Sequence, residues 1–136
     1  MGIYRCAACG AVNRSERLDA ASCGRCRSAL DRSGAPQTVD AAALVALIFS
    51  SPAPVLVDFA APGAACTCLD GLAHGCAGEV LCLRVDTVRE PAAAAAYLVE
   101  GSPALVLFER GNEVARIASA APSAELSRWV ELSAHL

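Results

Sequence analysis

The stretch that decides the fold is "PVLVDFAAPGAACTCLDGLAHGC", residues 54–76. It opens with a continuous apolar run, Pro54 to Phe59, bounded by turn-forming residues. A run of that length with no polar alternation reads as a central strand buried on both faces. One carboxylate, Asp58, sits inside it. In such a strand a buried acid with a raised pKa is the better reading than an ordinary strand-end carboxylate. Three cysteines and one histidine then follow within eleven residues.

Outward from this strand, the elements fall into an alternating order. Asp40 is placed to cap a helix over 41–50, with Leu44, Val45, Leu47 and Ile48 on one face. "EVLCLRVD" (79–86) is a second buried strand, in which Cys82 reads as a small hydrophobe. Pro91 opens the alanine helix "PAAAAAYLVE" at the one helical position that tolerates proline. "PALVLFERGNEVARIAS" gives two strands joined at "RGN", a hairpin signal. "PSAELSRWVEL" closes the chain with Leu126, Trp129 and Val130 at helical spacing. The order α-β-α-β-α-β-β-α, parallel first and antiparallel after, predicts an α/β sandwich.

Ahead of it, Cys6-x2-Cys9 and Cys23-x2-Cys26 repeat one spacing. Each pair can form a knuckle presenting two thiolates, and two knuckles complete a tetrahedral S₄ shell for structural Zn²⁺. Gly10 and Gly24 stand where the knuckles need a permissive backbone. Too few apolar residues surround them to fold alone, so the metal would supply the folding energy. A redox pair or two disulfides are the other readings of the four sulfurs. The expected division is a zinc ribbon over 1–30, a polar linker over 31–38 and an α/β domain over 39–136.

Composition bounds the function. All eleven basic residues are arginine. Residues 1–34 carry six of them against Glu16, Asp19 and Asp31, whereas residues 35–136 carry five against eleven acids. Four metal-bound thiolates would offset most of the basic excess of the ribbon, so a nucleic-acid partner is not expected. The longest apolar run, 41–49, is about half a membrane span, and the N-terminus shows no apolar leader, so a cytoplasmic protein is expected. Eight cysteines without an export signal point to metal binding or redox chemistry before a disulfide scaffold.

From Val55 to Trp129 the chain resembles thioredoxin. "VLVDFAAP" is similar to the strand leading into that family's active site, and "VDTVREPAAAAAYLVEGSPALVLFERGNEVAR" to its proline loop and last hairpin. With two cysteine knuckles in front, the whole chain looks like the second type of bacterial thioredoxin, which carries a zinc ribbon. The resemblance implies a thioredoxin-like fold, a central mixed sheet with flanking helices, and thiol–disulfide oxidoreductase chemistry. It implies protein partners bearing thiols or disulfides and a thioredoxin reductase. Asp58 matches the family's buried proton-accepting aspartate. Pro103 matches its cis-proline, which helps dock substrate, with Ser102 just before it, and Gly111 matches the hairpin glycine. Read by itself, Pro103 is also an ordinary proline at a strand entry.

The active-site motif departs from the family. Where Trp-Cys-Gly-Pro-Cys is usual, the ungapped reading places Gly63, Ala64 and Thr67 at the tryptophan and the two cysteines. The lysine usually near the aspartate aligns with Cys82. Cys66 and Cys68 remain as Cys-Thr-Cys, a pair that can bridge only from a turn, in a small strained ring of oxidising character. Three readings of the segment stand: an atypical redox pair; a second metal set of Cys66, Cys68, His74 and Cys76; or thiols without a role in a redox-inactive binding module.

Overall fold

The computed structural model describes residues 2–15, 22–63, 69–99, 104–118 and 123–133. Its centre is a five-stranded sheet of β3 (Gln37–Thr38), β4 (Val55–Ala60), β5 (Leu81–Asp86), β6 (Ala104–Glu109) and β7 (Asn112–Ala118). Their spatial order is β3-β5-β4-β6-β7. β5 runs parallel to both β3 and β4, and the β4–β6 and β6–β7 pairs are antiparallel. β4 is interior, and all six of its residues are buried. That is why its sequence shows an unbroken apolar run.

Strand alternation divides the core into two layers. Val55, Val57 and Phe59 share one face with Leu83, Val85, Val106 and Phe108. This face packs against Leu44, Leu47 and Ile48 of α1 (Ala41–Ser50) and Ala93 and Ala94 of α3 (Pro91–Ala96). The opposite face, with Leu56, Cys82, Leu105 and Leu107, lies under α2 (Leu69–Gly75) and α4 (Ser123–Ser133). Leu69, Leu72, Ala73 and Val130 cover it.

The expected α-β-α-β-α-β-β-α order is present from α1 onward. Asp40 caps α1 by accepting from the Ala43 amide at 2.8 Å. Val45, expected on the buried face, is 45 % exposed. The buried stripe is narrow, and position 45 falls beyond its edge. Trp129 and Val130 pack inward as the closing-helix pattern predicts, while the Leu126 side chain lies outside the described residues. The β6–β7 hairpin turns on Arg110 and Gly111, at φ +51° and +87°, the left-handed pair of a two-residue turn.

α3 stops at Ala96, short of the expected Glu100. Leu98 adopts φ +55°, a conformation that helix ends normally give to glycine. The Arg116 guanidinium, from β7, donates to the Tyr97 and Leu98 carbonyls at 2.6 and 2.9 Å. It thereby satisfies carbonyls that a helix end leaves open.

β1 (Gly2–Arg5) and β2 (Val12–Ser15) form a small antiparallel sheet. The stretch 31–38, expected as a linker, ends in β3, whose Gln37 and Thr38 pair with Leu83 and Arg84. Two residues are too few to show strand periodicity in a polar sequence. The small sheet is also docked on the larger unit. Ile3 joins the main core and bridges to Gly78, its amide donating to the Gly78 carbonyl at 2.8 Å. Arg5 and Gln37 exchange hydrogen bonds, the Gln37 amide donating to the Arg5 carbonyl at 2.9 Å.

Leu98 offers a direct test of these backbone demands. Its side chain is 82 % exposed, so removing it forfeits little burial. Leu98→Gly should raise stability by about 1 kcal/mol through relief of the left-handed conformation, measured by denaturant unfolding.

Candidate functional site

Asp58 lies near the C-terminal end of β4 and is 1 % exposed. In the sheet register it stands between Arg84 of β5 and Leu105 of β6. Arg84 Nε is 3.8 Å from Asp58 Oδ2. The two terminal nitrogens of the same guanidinium each lie 3.4 Å from one carboxylate oxygen of Asp70. Asp70 belongs to the first turn of α2, the helix that begins one residue after Cys68. One arginine therefore bridges a buried carboxylate and an exposed one.

Arg84 is the neighbour of Asp58 that the sequence reading missed. Alignment to the family's lysine pointed to Cys82, and Cys82 stands two pairs away on the same face, opposite Leu56. It is a buried thiol whose pKa burial pushes up to about 12, so it behaves as a hydrophobe. The cation comes from two residues further along the strand. Alternation in "LCLRVD" places residues 82 and 84 on one face, and parallel pairing with "VLVDF" sets 84 level with 58. That was the available signal. Beside the pair a cleft of about 170 Å³ is lined by Thr38, Asp58, Pro62, Arg84 and Asp86, among others.

Cys66, Cys68, Ser102 and Pro103 lie outside the described residues. The elements next to them are ordered around one end of the sheet. Ala104 pairs with Phe59, so β6 begins where β4 ends. Leu69, fully buried, fixes the start of α2 on the face that carries Asp58.

His74 and Cys76 sit at the other end of α2. The seven-residue helix carries them about 9 Å along its axis from Leu69. His74 is exposed. Cys76 is half-buried, and its pKa is raised by burial and by the nearby Glu79 and Glu131. Among the described residues these two join no convergent group of metal ligands.

Such a group does form from Cys6, Cys9, Cys23 and Cys26, whose sulfurs all lie within 4.8 Å of one another. The Cys6–Cys26 and Cys9–Cys23 separations are both 3.6 Å. A tetrahedral ion with bonds of about 2.3 Å needs sulfurs about 3.8 Å apart, so the set fits one ion. The two knuckles repeat one hydrogen-bond pattern. The Gly10 amide donates to the Cys6 carbonyl, and the Arg27 amide to the Cys23 carbonyl, at 2.8 and 2.9 Å. The left-handed position of the first knuckle is Gly10, as expected, at φ +81°. In the second it is Arg27, at φ +68°, and not Gly24. The Gly24 amide instead donates to the Asn13 side-chain oxygen at 2.9 Å.

Hydrogen bonds to sulfur favour the thiolate at Cys23 and Cys26. The Cys26 amide, the Asn13 side chain and the Arg25 amide together bring Cys23 down to about 6. Ser28 lowers Cys26. At Cys9 an Ala11 amide pulls the other way from burial and three crowding sulfurs, which push it up to about 11. The cluster shares protons that an incoming cation would displace.

The family model described as "Thioredoxin" matches residues 35–132. "Thioredoxin C-3" of Corynebacterium nephridii is 33 % identical over 136 aligned positions, covering 95 % of this chain and 93 % of that protein. "Thioredoxin M-type, chloroplastic" of Pisum sativum is 33 % identical over 90 residues, covering 62 % of this chain. The match spans only about half of the pea protein, 52 %. Among solved structures, a point-mutant thioredoxin from Halobacterium salinarum NRC-1 superposes with a TM-score of 0.64 at 27 % identity. The superposition covers 78 % of this chain and 96 % of that one.

Burial of Cys82 has a measurable consequence. The unfolded thiol ionises near pH 9, while the folded one stays protonated until about 12. Below pH 9 the group contributes no difference. Between these values rising pH favours the unfolded chain. Against Cys82→Ala, the unsubstituted protein should lose about 2–3 kcal/mol more stability between pH 9 and pH 11, followed by urea unfolding at each pH.

Proposed function

The chain belongs to the thioredoxin family, and on that premise we propose that it is a thiol–disulfide oxidoreductase working through the Cys66-Thr67-Cys68 pair. The observation that carries this reading is Asp58. A fully buried carboxyl beside the helix that follows the two cysteines costs stability, and a proton-acceptor role accounts for it. One thiolate attacks a protein disulfide, breaking its S–S bond and forming a mixed disulfide. The second cysteine gives its proton to Asp58 and attacks the mixed disulfide; the two substrate sulfurs, expelled in turn as thiolates, take up protons from Asp58 and from water, and the substrate departs as a dithiol. The chain is left with a Cys66–Cys68 disulfide, which a reductase of the thioredoxin-reductase kind returns to the dithiol. Ser102 and Pro103 dock the extended substrate segment. The small Cys-x-Cys ring makes the pair a stronger oxidant than a Cys-x2-Cys pair, so the reverse reaction, disulfide donation or isomerisation, is within its reach.

Cys6, Cys9, Cys23 and Cys26 hold one structural Zn²⁺, as the geometry of four mutually close sulfurs supports. A closed S₄ set leaves no open coordination position, so the ion staples residues 1–30 and takes no part in the redox step. The domain from 39 to 136 carries the chemistry. A reducing compartment, the cytoplasm, keeps the four sulfurs available as thiolates.

One observation favours a second reading. Ala64 and Thr67 stand where the family places its cysteines. A chain that had lost catalysis would keep the Pro103 groove and the ribbon as contact surfaces, acting as a protein-binding or assembly module.

Insulin disulfide reduction with a dithiol supplied separates the two. The unsubstituted protein should accelerate it, and Cys66→Ser with Cys68→Ser should remove at least about nine-tenths of the acceleration. An unsubstituted protein that is inactive and forms no Cys66–Cys68 disulfide decides for the binding module. Metal analysis should return one zinc per chain, abolished by Cys6→Ser with Cys23→Ser. Two zincs per chain would promote Cys66, Cys68, His74 and Cys76 to a second ligand set.

A further inference from the structure

We infer that Arg84 is the positioning residue of this site: it supplies the counter-charge of Asp58 from the neighbouring strand and, through Asp70, ties the start of α2 to it. The inference rests on the reading of Asp58 as the proton acceptor of the Cys66–Cys68 pair.

The sheet register makes the juxtaposition unavoidable. Arg84 pairs with Asp58 on one side and with Thr38 on the other, so the three form a polar row across β4, β5 and β3. Exposure falls along it, from exposed Thr38 through the Arg84 side chain, 26 % exposed, to the Asp58 side chain at 0 %. A carboxylate buried to that degree is tolerable as an anion only with a cation or donors close by. The second arm of the guanidinium reaches Asp70, whose side chain is 58 % exposed. Water screens that arm, and the buried arm keeps most of its strength.

Among the described residues, the other groups named here around Asp58 carry no positive charge. Asp86, at the end of β5, lines the same cleft but is an acid. Cys82, two pairs below, is a protonated thiol at neutral pH. β6 contributes Leu105, and α2 contributes Asp70. A lysine in this role could surrender its proton in an apolar setting, whereas a guanidinium does not. Arg84 thus sets a planar guanidinium beside Asp58 with its terminal nitrogens turned to Asp70. Asp70 lies two residues beyond Cys68, so the same side chain fixes where the redox segment rejoins the fold.

Carboxyl ¹³C NMR titration of Asp58 in the reduced, zinc-loaded full chain tests this directly. Arg84→Met should raise the Asp58 midpoint by about one to three pH units. Arg84→Lys should return it most of the way. Asp70→Asn should move it in the opposite direction, down, because one competing carboxylate is removed from the guanidinium. An Asp58 midpoint within about half a unit of the unsubstituted value in Arg84→Met overturns the inference. If that variant does not fold, Arg84→Lys and Asp70→Asn carry the measurement, and shifts of the same sign in both overturn it. The readout is independent of activity. Inactivity on insulin with a shifted Asp58 defeats the oxidoreductase reading and leaves the counter-charge established. Activity on insulin with an unmoved Asp58 defeats only the role of Arg84.

Discussion

A strand covered on both faces has no solvent in which to place a charge, and β4 holds one. Val55, Leu56, Val57 and Phe59 are nearly inaccessible, and helices close over them from two directions. Asp58 lies in the same run. Its neighbours must therefore supply everything water would have given it. The parallel register with β5 meets this demand by setting an arginine level with the acid. Helix α2 arrives on that face with Asp70 in its first turn, which holds the outer arm of the same guanidinium. The placement of the strands and the electrostatics of the site are one arrangement seen at two scales.

What the sequence disclosed follows the strength of each local signal. The apolar run of β4, the Asp40 cap, Pro91 at a helix start and Gly111 in a tight turn each express a backbone or burial requirement that few residues can meet. Those elements were legible. β3 was not, because two polar residues at a sheet edge take their conformation from the neighbouring β5 and leave no pattern of their own. The end of α3 was hidden for a related reason: Leu98 holds a left-handed conformation that favours glycine, and Arg116, eighteen residues on, bonds the carbonyls there. Arg27 in the second knuckle repeats this lesson. At Leu98 a bond from a distant strand, and at Arg27 the bond from its own amide to the Cys23 carbonyl, accompany a conformation that the residue's own preference opposes.

The candidate site shows the same division. The four-sulfur cluster could be read from spacing alone, because a tetrahedral shell makes a strict geometric demand on the chain. The burial of Asp58 could be read from its apolar surroundings. Arg84 escaped because linear alignment placed the family's lysine at Cys82, and only strand pairing shows which of two alternating residues stands beside the acid.

β3 ends after two residues, so much of the outer rim of β5 has no strand beside it. There lies β1, with Ile3 and Tyr4 lining the space next to Leu81, Cys82 and Leu83. A parallel strand left open on one side is a template for pairing with a second molecule, the route by which sheets polymerise. The N-terminal lobe covers part of that rim, where a second molecule would otherwise find room to pair.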